Sequence, residues 1–485
     1  MEKKSLVSNS IYNIIRTLST LFFPLITFMY ASRVLGTDGV GKVEFSKNLV
    51  GYFVILASLG ITNYGVREGA KRRESKDDFS KFVHEILIVN FVSLALSLLM
   101  FLAIILSFDE LGAYRELLLA FGVMIVFTPL GVEWVYSALE EYKYITLRTI
   151  AFQLVAIIFM LIAVKSKNDL IWYAVVLLVS NVGSNIFNIV HMRYYVTLKF
   201  YGNYKASRHL KPIIILFAMA LSNNLYSYIG TTLLGLMDSD TAVGLFAAAL
   251  KINRIVVNIL GAIGAVAMPR LSFLYSKSDR ANFDSLAVKV ANILQMLSIP
   301  CGIGLVCLST PIIIVFSGSA FLAADGVTKV MSVIVVVLSL STFINMHILI
   351  PANKEKYTLV SIVLGLATNI ILNLLLIPYM GIIGSAIGTV TGECVVLFVA
   401  LILARNVINL TSLFRNLCHY IIAALPIIMV GMICNAVIKN LLLESAMVLF
   451  FSASLYFVIL YFAFKNEYVK WLVGIAKKKL LKGTR

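Results

Sequence analysis

The 485-residue chain is 60% hydrophobic and 13% charged, with a formal net charge of +17 and a mean hydropathy of +0.93. A soluble globular protein is roughly 45–50% apolar and about 25% charged, so the composition excludes a soluble fold and leaves no room for a soluble domain between the apolar runs. The positive excess is what the cytoplasmic loops of a multi-pass membrane protein retain, which sets nucleic acid aside as a partner.

A spanning helix takes about 20 mostly apolar residues. Span one, 10–31, is too long for a signal sequence and brings Asn9, Asn13, Arg16 and Thr20 onto one face. Span two, 44–65, does the same for Glu44, Lys47, Asn48 and Gly51, with Glu44 one turn from Lys47. Span three covers 83–107, and span four, 115–139, carries Glu133 just after Thr128–Pro129. Span five covers 145–164, and span six, 170–192, holds Asn181, Ser184, Asn185, Asn188 and His191. The basic segment 193–211 leads to span seven, 212–236, with Ser222, Asn223, Asn224, Ser227 and Thr231.

Span eight, 243–268, contains Lys251 and Arg254 inside the run ALKINRIVVNIL. Span nine, 287–316, includes Pro300 and Pro311 and reads either as one kinked helix or as a span followed by a short broken piece. Spans ten (327–350), eleven (357–377, with Asn369 and Asn373) and twelve (382–404) follow. Span twelve opens with Gly381, Gly384, Ser385, Gly388 and Gly392, a close-packing face, and then Glu393. Spans thirteen (416–438) and fourteen (442–464) have almost no interior polar residues. The basic tail, 465–485, places Tyr468, Trp471, Leu472 and Ile475 at helical spacing. It reads equally as an amphipathic helix on the membrane face or as a solvated tail.

With the N-terminus on the cytoplasmic side, basic residues concentrate in the inner loops all along the chain. Val40–Gly41 and Arg67 bracket span two as Val243–Gly244 and Arg270 bracket span eight, at the same offset. This is a faint internal repeat. The expected architecture is therefore all-α and integral to the membrane, with about fourteen transmembrane helices. It comprises an N-terminal six-helix bundle (1–192), a linker (193–211), a C-terminal six-helix bundle (212–404), two extra helices (405–464) and the tail (465–485). Halves of the same topology are related by a pseudo-two-fold axis along the membrane normal, with a site at their interface. Trp134, Trp172, Tyr173, Tyr194, Tyr195, Tyr379 and Tyr468 with Trp471 are expected at the membrane edges, and the five cysteines as small buried hydrophobes.

Entering from residue 243, span eight carries Lys251 about 12 Å and Arg254 about 16 Å deep, near the middle of a hydrocarbon core about 30 Å thick. A charge facing lipid at that depth costs at least about 2.5–3.5 kcal/mol. Two cations on a face shared with Gly244, Asn258, Gly261 and Ala265 therefore argue for a water-filled cavity. The expected substrate-binding set is Arg254, Lys251, Arg16 and Lys47, with Asn258, Asn223 and Asn185 hydrating the substrate. Glu393 and Glu133 are the acidic candidates for ion coupling. Glu393 serves equally well as a partner of Arg254 or Lys251, or as a proton or sodium site. The cationic balance favours an anionic, phosphate-bearing substrate. No metal-ligand spacing and no nucleophile–base pair occur in the sequence.

The stretches NSIYN, FPLITFMYASRVLGTDGVGKVEFSKNLVGYF, LGITNYGVREGAK, VGLFAAALKI, MPRLS and GIIGSAIGTVTGE resemble the polysaccharide repeat-unit flippases, the Wzx/RfbX group of the MOP superfamily. Arg16 stands where that family usually has Gln. The resemblance implies two six-helix bundles, a central cationic cavity and alternating access driven by a proton or sodium gradient, with no other cofactor. It implies a transporter, not an enzyme, in the bacterial cytoplasmic (inner) membrane with both termini cytoplasmic. The implied substrate is an undecaprenyl-diphosphate-linked oligosaccharide, moved from the inner to the outer leaflet for a surface polysaccharide such as O-antigen or capsule. Membrane lipids and the polymerase and export machinery are its implied partners, and the chain is expected to be a monomer. A lipid II-type flippase and a multidrug cation antiporter of the same superfamily are the alternatives.

Overall fold

The structure, a computed structural model, describes residues 6–438, 440–471 and 473–474, and within these every side chain except those of residues 6, 7, 10, 215, 219 and 223. Among the described residues there are helices and no strands. Two compact units, Met1–Gly244 and Leu245–Arg485, divide the chain.

The first unit contains α1 (Leu6–Ser58), α2 (Ile61–Ala70), α3 (Lys76–Ser107), α4 (Arg115–Leu130), α5 (Glu133–Ala138), α6 (Tyr142–Ala163), α7 (Leu170–Leu178), α8 (Ser184–His191) and α9 (Leu210–Met237). It also takes the start of α10 (Asp240–Ser276). The described helices α3, α4, α6 and α9 all pack on α1. Span seven, as α9, thus sits with the first unit. α1 has 53 residues, about 80 Å at the helical rise, far more than a bilayer core of about 30 Å. It is not one rod, because Gly36 has φ 73°, a left-handed backbone that a residue without Cβ adopts without strain. Ser75 starts α3 by accepting from Asp78 N at 3.3 Å, with Asp77 and Asp78 in the first turn where the helix dipole favours acids. Interhelical hydroxyl bonds tie the unit: Ser93 donates to Ala57 O and Ser97 to Phe53 O, both at 2.7 Å.

The repeated Val-Gly pairs have a physical counterpart. A Cβ on Gly41 would lie 1.7 Å from Asp240 O, and one on Gly244 would lie 2.1 Å from Thr37 O. The glycines of the repeat mark the crossing where these two helices touch backbone to backbone.

The second unit continues α10 and adds α11 (Arg280–Cys307), α12 (Ser309–Ser317), α13 (Asp325–Met331), α14 (Val333–Thr342), α15 (Glu355–Ala404), α16 (Leu410–Phe414), α17 (Leu417–Ala424), α18 (Pro426–Val437) and α19 (Leu441–Phe462). Span nine is thus a long helix and a short separate one, α11 and α12. α15 repeats the device of α1, since Gly381 has φ 51° and splits its 50 residues. The arms then meet through small residues: a Cβ on Gly365 would lie 2.1 Å from the Val396 side chain.

Large apolar side chains point outward, Val266 at 83% and Leu106 at 70% exposure, while Asn90, Asn188, Asn369 and Asn373 are buried. That inversion suits a lipid solvent. Among the described residues, ten helices are long and apolar enough to cross a membrane, or up to twelve if each of two bent pairs is one span. The window reading separates more segments because α1 and α15 each hold two apolar stretches.

Trp134 and Tyr173 are enclosed within the protein at 3% and 2% exposure. Trp134 lies under Gly65, where a Cβ would stand 2.5 Å from the indole. One expectation needs correcting: of the cysteines only Cys434 is buried, while Cys301, Cys394 and Cys418 are exposed on the apolar surface. The tail from residue 475 onward lies outside the described residues.

Candidate functional site

The site in the first unit is organised by a break in span four. Pro129 lacks an N–H and disrupts the helical ladder. α4 ends at Leu130, Val132 takes φ 40°, and α5 restarts at Glu133. Three asparagines take up carbonyls around the break. Asn185 Nδ2 donates to Phe127 O at 2.8 Å, Asn90 Nδ2 to Pro129 O at 3.2 Å and Asn188 Nδ2 to Gly131 O at 2.7 Å. An unpaired carbonyl enclosed away from water would be costly, so the amides stabilise the broken geometry.

The break presents Glu133 to two arginines. Arg16 from α1 donates to Oε1, and Arg148 from α6 donates to Oε2 at 3.1 Å. The Arg148 side chain is 6% exposed; its other arm donates to Asn188 Oδ1. Asn188 therefore joins the arginine to the broken backbone, with Nδ2 on Gly131 O and Oδ1 under the guanidinium. The charges are compensated by geometry and by hydrogen bonds together, as buried ions require. Lys47 lies elsewhere on α1, its Nζ 2.6 Å from Glu44 Oε2, and the Glu44 side chain is 6% exposed.

In the second unit, Lys251 and Arg254 stand one turn apart on α10, both half-buried. Between them Asn253 is buried and donates to Ala249 O at 2.9 Å. Asn258, one further turn on, is exposed. Glu393 is 6% exposed on the second arm of α15, with Asn369 and Asn373 wholly buried on the first arm. Asn373 Nδ2 would lie 2.7 Å from a Cβ at Gly388, so the glycine face brings the asparagine against span twelve.

Arg16, Glu133 and Asn185 thus gather around one break in the first unit, and Lys47 pairs on its own helix. Lys251, Arg254, Asn258 and Glu393 belong to the second unit. The side chain of Asn223 lies outside the described residues. Sequence reasoning missed Arg148; its signal was a lone arginine a few residues into an apolar run, ITLRTIAF. Among the described residues, no group of three His, Cys, Asp or Glu could hold a metal ion.

The profile of the family described as "Polysaccharide biosynthesis protein" matches residues 6–274. The chain belongs to this family. A protein of Shigella dysenteriae named "Putative O-antigen transporter" is 25% identical over 388 residues, covering 77% of this chain and 93% of its own. The fold is similar to that of "Lipid II flippase MurJ, inward closed conformation", with a TM-score of 0.74 at 15% identity over 94% of this chain and 99% of that one. A "multidrug resistance MATE family transporter of the MOP superfamily" in its inward-facing conformation follows at a TM-score of 0.62 and 16% identity, over 83% of this chain and 99% of that one. At these identities the solved structures speak to the fold alone. As a member of the polysaccharide biosynthesis family with a flippase-like fold, the chain is a multi-pass membrane protein of the Wzx-like group.

Proposed function

We propose that this polysaccharide biosynthesis protein moves a lipid-linked oligosaccharide, carried on a phosphate-bearing polyprenol, from the inner to the outer leaflet of a bacterial cytoplasmic membrane. It acts as a transporter and performs no covalent chemistry. The single observation that carries this reading is the set of cations held within membrane-type helices of a chain of this family: Arg16 and Arg148 on Glu133, and Lys251 and Arg254 on α10. Intramembrane ionisable groups mark substrate and ion pathways, and guanidinium and ammonium groups bind phosphate oxygens. A drug-cation antiporter would need the opposite balance of charge.

Reading the two arms of α1 and of α15 as separate spans gives fourteen crossings with both termini cytoplasmic. The substrate diphosphate meets Arg254 and Lys251. Transport alternates the exposure of these side chains between the two faces and is coupled to a proton or sodium gradient through Glu393. The test is a reconstituted vesicle assay with a fluorescent polyprenyl-diphosphate oligosaccharide. Protein-dependent loss of the label from one leaflet supports the reading. A rate equal to that of protein-free vesicles overturns it.

A further inference from the structure

A groove of about 500 Å³ runs along α3 in the first unit. Ile88, Val92, Leu96 and Met100 line it at spacings of four, so they share one face of the helix. Each is 41–59% exposed, open to whatever enters. From Ile88 to Met100 the face runs about 18 Å at the helical rise, roughly one leaflet of a hydrocarbon core about 30 Å thick. Ser93 and Ser97 also line it, but their hydroxyls already donate to Ala57 O and Phe53 O. Along α3 the groove therefore offers hydrocarbon contact and no hydrogen bond.

The Ile88 end carries charge. Lys205 N and Arg208 Nη2 donate to the Glu85 carboxylate at 2.8 and 2.6 Å, and Glu85 stands one turn before Ile88 on α3. These bonds hold the linker there, and its Ala206, Ser207 and Leu210 complete the groove. The segment 193–211 has five Lys and Arg and no acid. Glu85 compensates Arg208. The side chains of Lys205 and Lys211 are exposed and have no ion-pair partner among the described residues. Leu198 and Phe200 of the same segment are 64% and 80% exposed. Bare apolar side chains among cations are the pattern of a segment seated on a membrane surface, where each lysine attracts anionic lipid.

A hydrocarbon groove one leaflet deep, with uncompensated cations at one end, matches one class of molecule. A soluble anion would leave the groove bare, and a neutral lipid would leave the lysines without a counter-charge. A polyprenyl chain would run well past Met100. We propose that this groove is a binding site for an anionic glycerophospholipid, one acyl chain lying along α3 and the phosphate held by Lys205 and Lys211. Such a lipid ties the linker to α3 and belongs to the bilayer, not to the transported cargo.

The full chain would be reconstituted in phosphatidylcholine vesicles. Of its three tryptophans, Trp172 and Trp471 are replaced by Phe, and Trp134, enclosed at 3% exposure, stays as a constant background. Leu96→Trp then places a reporter in the groove. Phe91→Trp, at a position 55% exposed on the same helix but outside the groove, places one against ordinary lipid. Bromine on an acyl chain quenches an indole on contact. Phosphatidylglycerol with brominated chains should quench Leu96→Trp at a mole fraction about fivefold lower than brominated phosphatidylcholine does, the share of one lysine beside an anionic lipid. The two lipids should quench Phe91→Trp alike. Lys205→Gln/Lys211→Gln keeps the residue-205 N–H on Glu85 and should abolish the preference at Leu96→Trp, with quenching by phosphatidylcholine unchanged. Equal quenching of Leu96→Trp by the two lipids overturns the site. So does an equal preference at Phe91→Trp, which would be the general pull of a basic protein on anionic lipid, or a preference that survives the loss of both lysines. Unbrominated polyprenyl phosphate that relieves the quenching at a lower mole fraction than unbrominated phosphatidylglycerol overturns the phospholipid assignment and gives the groove to a polyprenyl tail.

Discussion

Arg148 reaches Glu133 from α6 at 3.1 Å, and that carboxylate also holds Arg16 of α1. One acid thus serves two cations from different helices, which makes it the joint of the first unit. Glu133→Gln keeps the shape and removes the charge, leaving Arg148 buried opposite a neutral amide. A charged hydrogen bond contributes about 1.5–3 kcal/mol. Glu133 and Arg16 are 34% and 26% exposed, so the lower end of that range applies. Thermal unfolding in detergent should show Glu133→Gln less stable by that amount. The double variant Glu133→Gln/Arg148→Met should recover part of the loss, because no buried cation is left unpaired. A Glu133→Gln protein as stable as the wild type would remove the joint from the account.

Asn188 is the second joint. It is fully buried, donates to Gly131 O at 2.7 Å and accepts from Arg148. Asn188→Leu fits the volume but leaves a carbonyl and a guanidinium arm without partners. At about 1–3 kcal/mol for each unsatisfied group, the expected loss is about 2–6 kcal/mol, larger than that of Asn185→Leu, which frees one carbonyl. Denaturant midpoints for the two variants check the order. The reverse order would mean the break is not held where the distances place it.

The sequence made the membrane class, the helical composition and the candidate ionisable residues legible, because apolar runs and charges inside them need no partner to be seen. Arg16 and Glu133 stand out on that ground. Their pairing is not visible, since it depends on the restart of the helix at Glu133 after Val132 turns left-handed. Arg148 escapes notice for a related reason: its partner is near in sequence but on α5, a separate short helix that exists only because span four breaks. Asn185 reads as one residue of a polar stripe, and periodicity cannot show that its amide serves Phe127 O. That Trp134 is enclosed by protein beside Gly65 is not legible either, because composition does not show which neighbours cover an aromatic ring.

Glu85 anchors the linker between the predicted bundles. Its side chain is fully buried and accepts from Lys205 N at 2.8 Å and from Arg208 Nη2 at 2.6 Å. His209 Nε2 lies 2.8 Å from the same carboxylate, and the Tyr64 hydroxyl 2.6 Å from His209 Nδ1. Glu85→Gln keeps an acceptor for Lys205 N but removes the charge that holds Arg208 and His209. Arg208 is half-exposed, which limits its share. Trypsin cleavage after Lys205 or Arg208 should accelerate about tenfold, corresponding to roughly 1.4 kcal/mol easier opening. Unchanged cleavage would show that the segment is held by its apolar contacts alone.

Arg254 tests the proposed substrate contact and Glu393 the proposed coupling, and the two should fail differently. Arg254→Ala should abolish leaflet exchange of the lipid-linked glycan while the protein still inserts and purifies as the wild type does, and Arg254→Lys should restore part of the rate because charge is kept and the planar fork is lost. Glu393 is buried on α15 among small residues. Glu393→Gln preserves the packing and removes the carboxylate charge and its exchangeable proton. Its transport without a gradient should match the wild type, and the stimulation by an imposed proton or sodium gradient should disappear. Full gradient stimulation in Glu393→Gln would move coupling away from α15. Wild-type exchange in Arg254→Ala would overturn the assignment of the phosphate to α10.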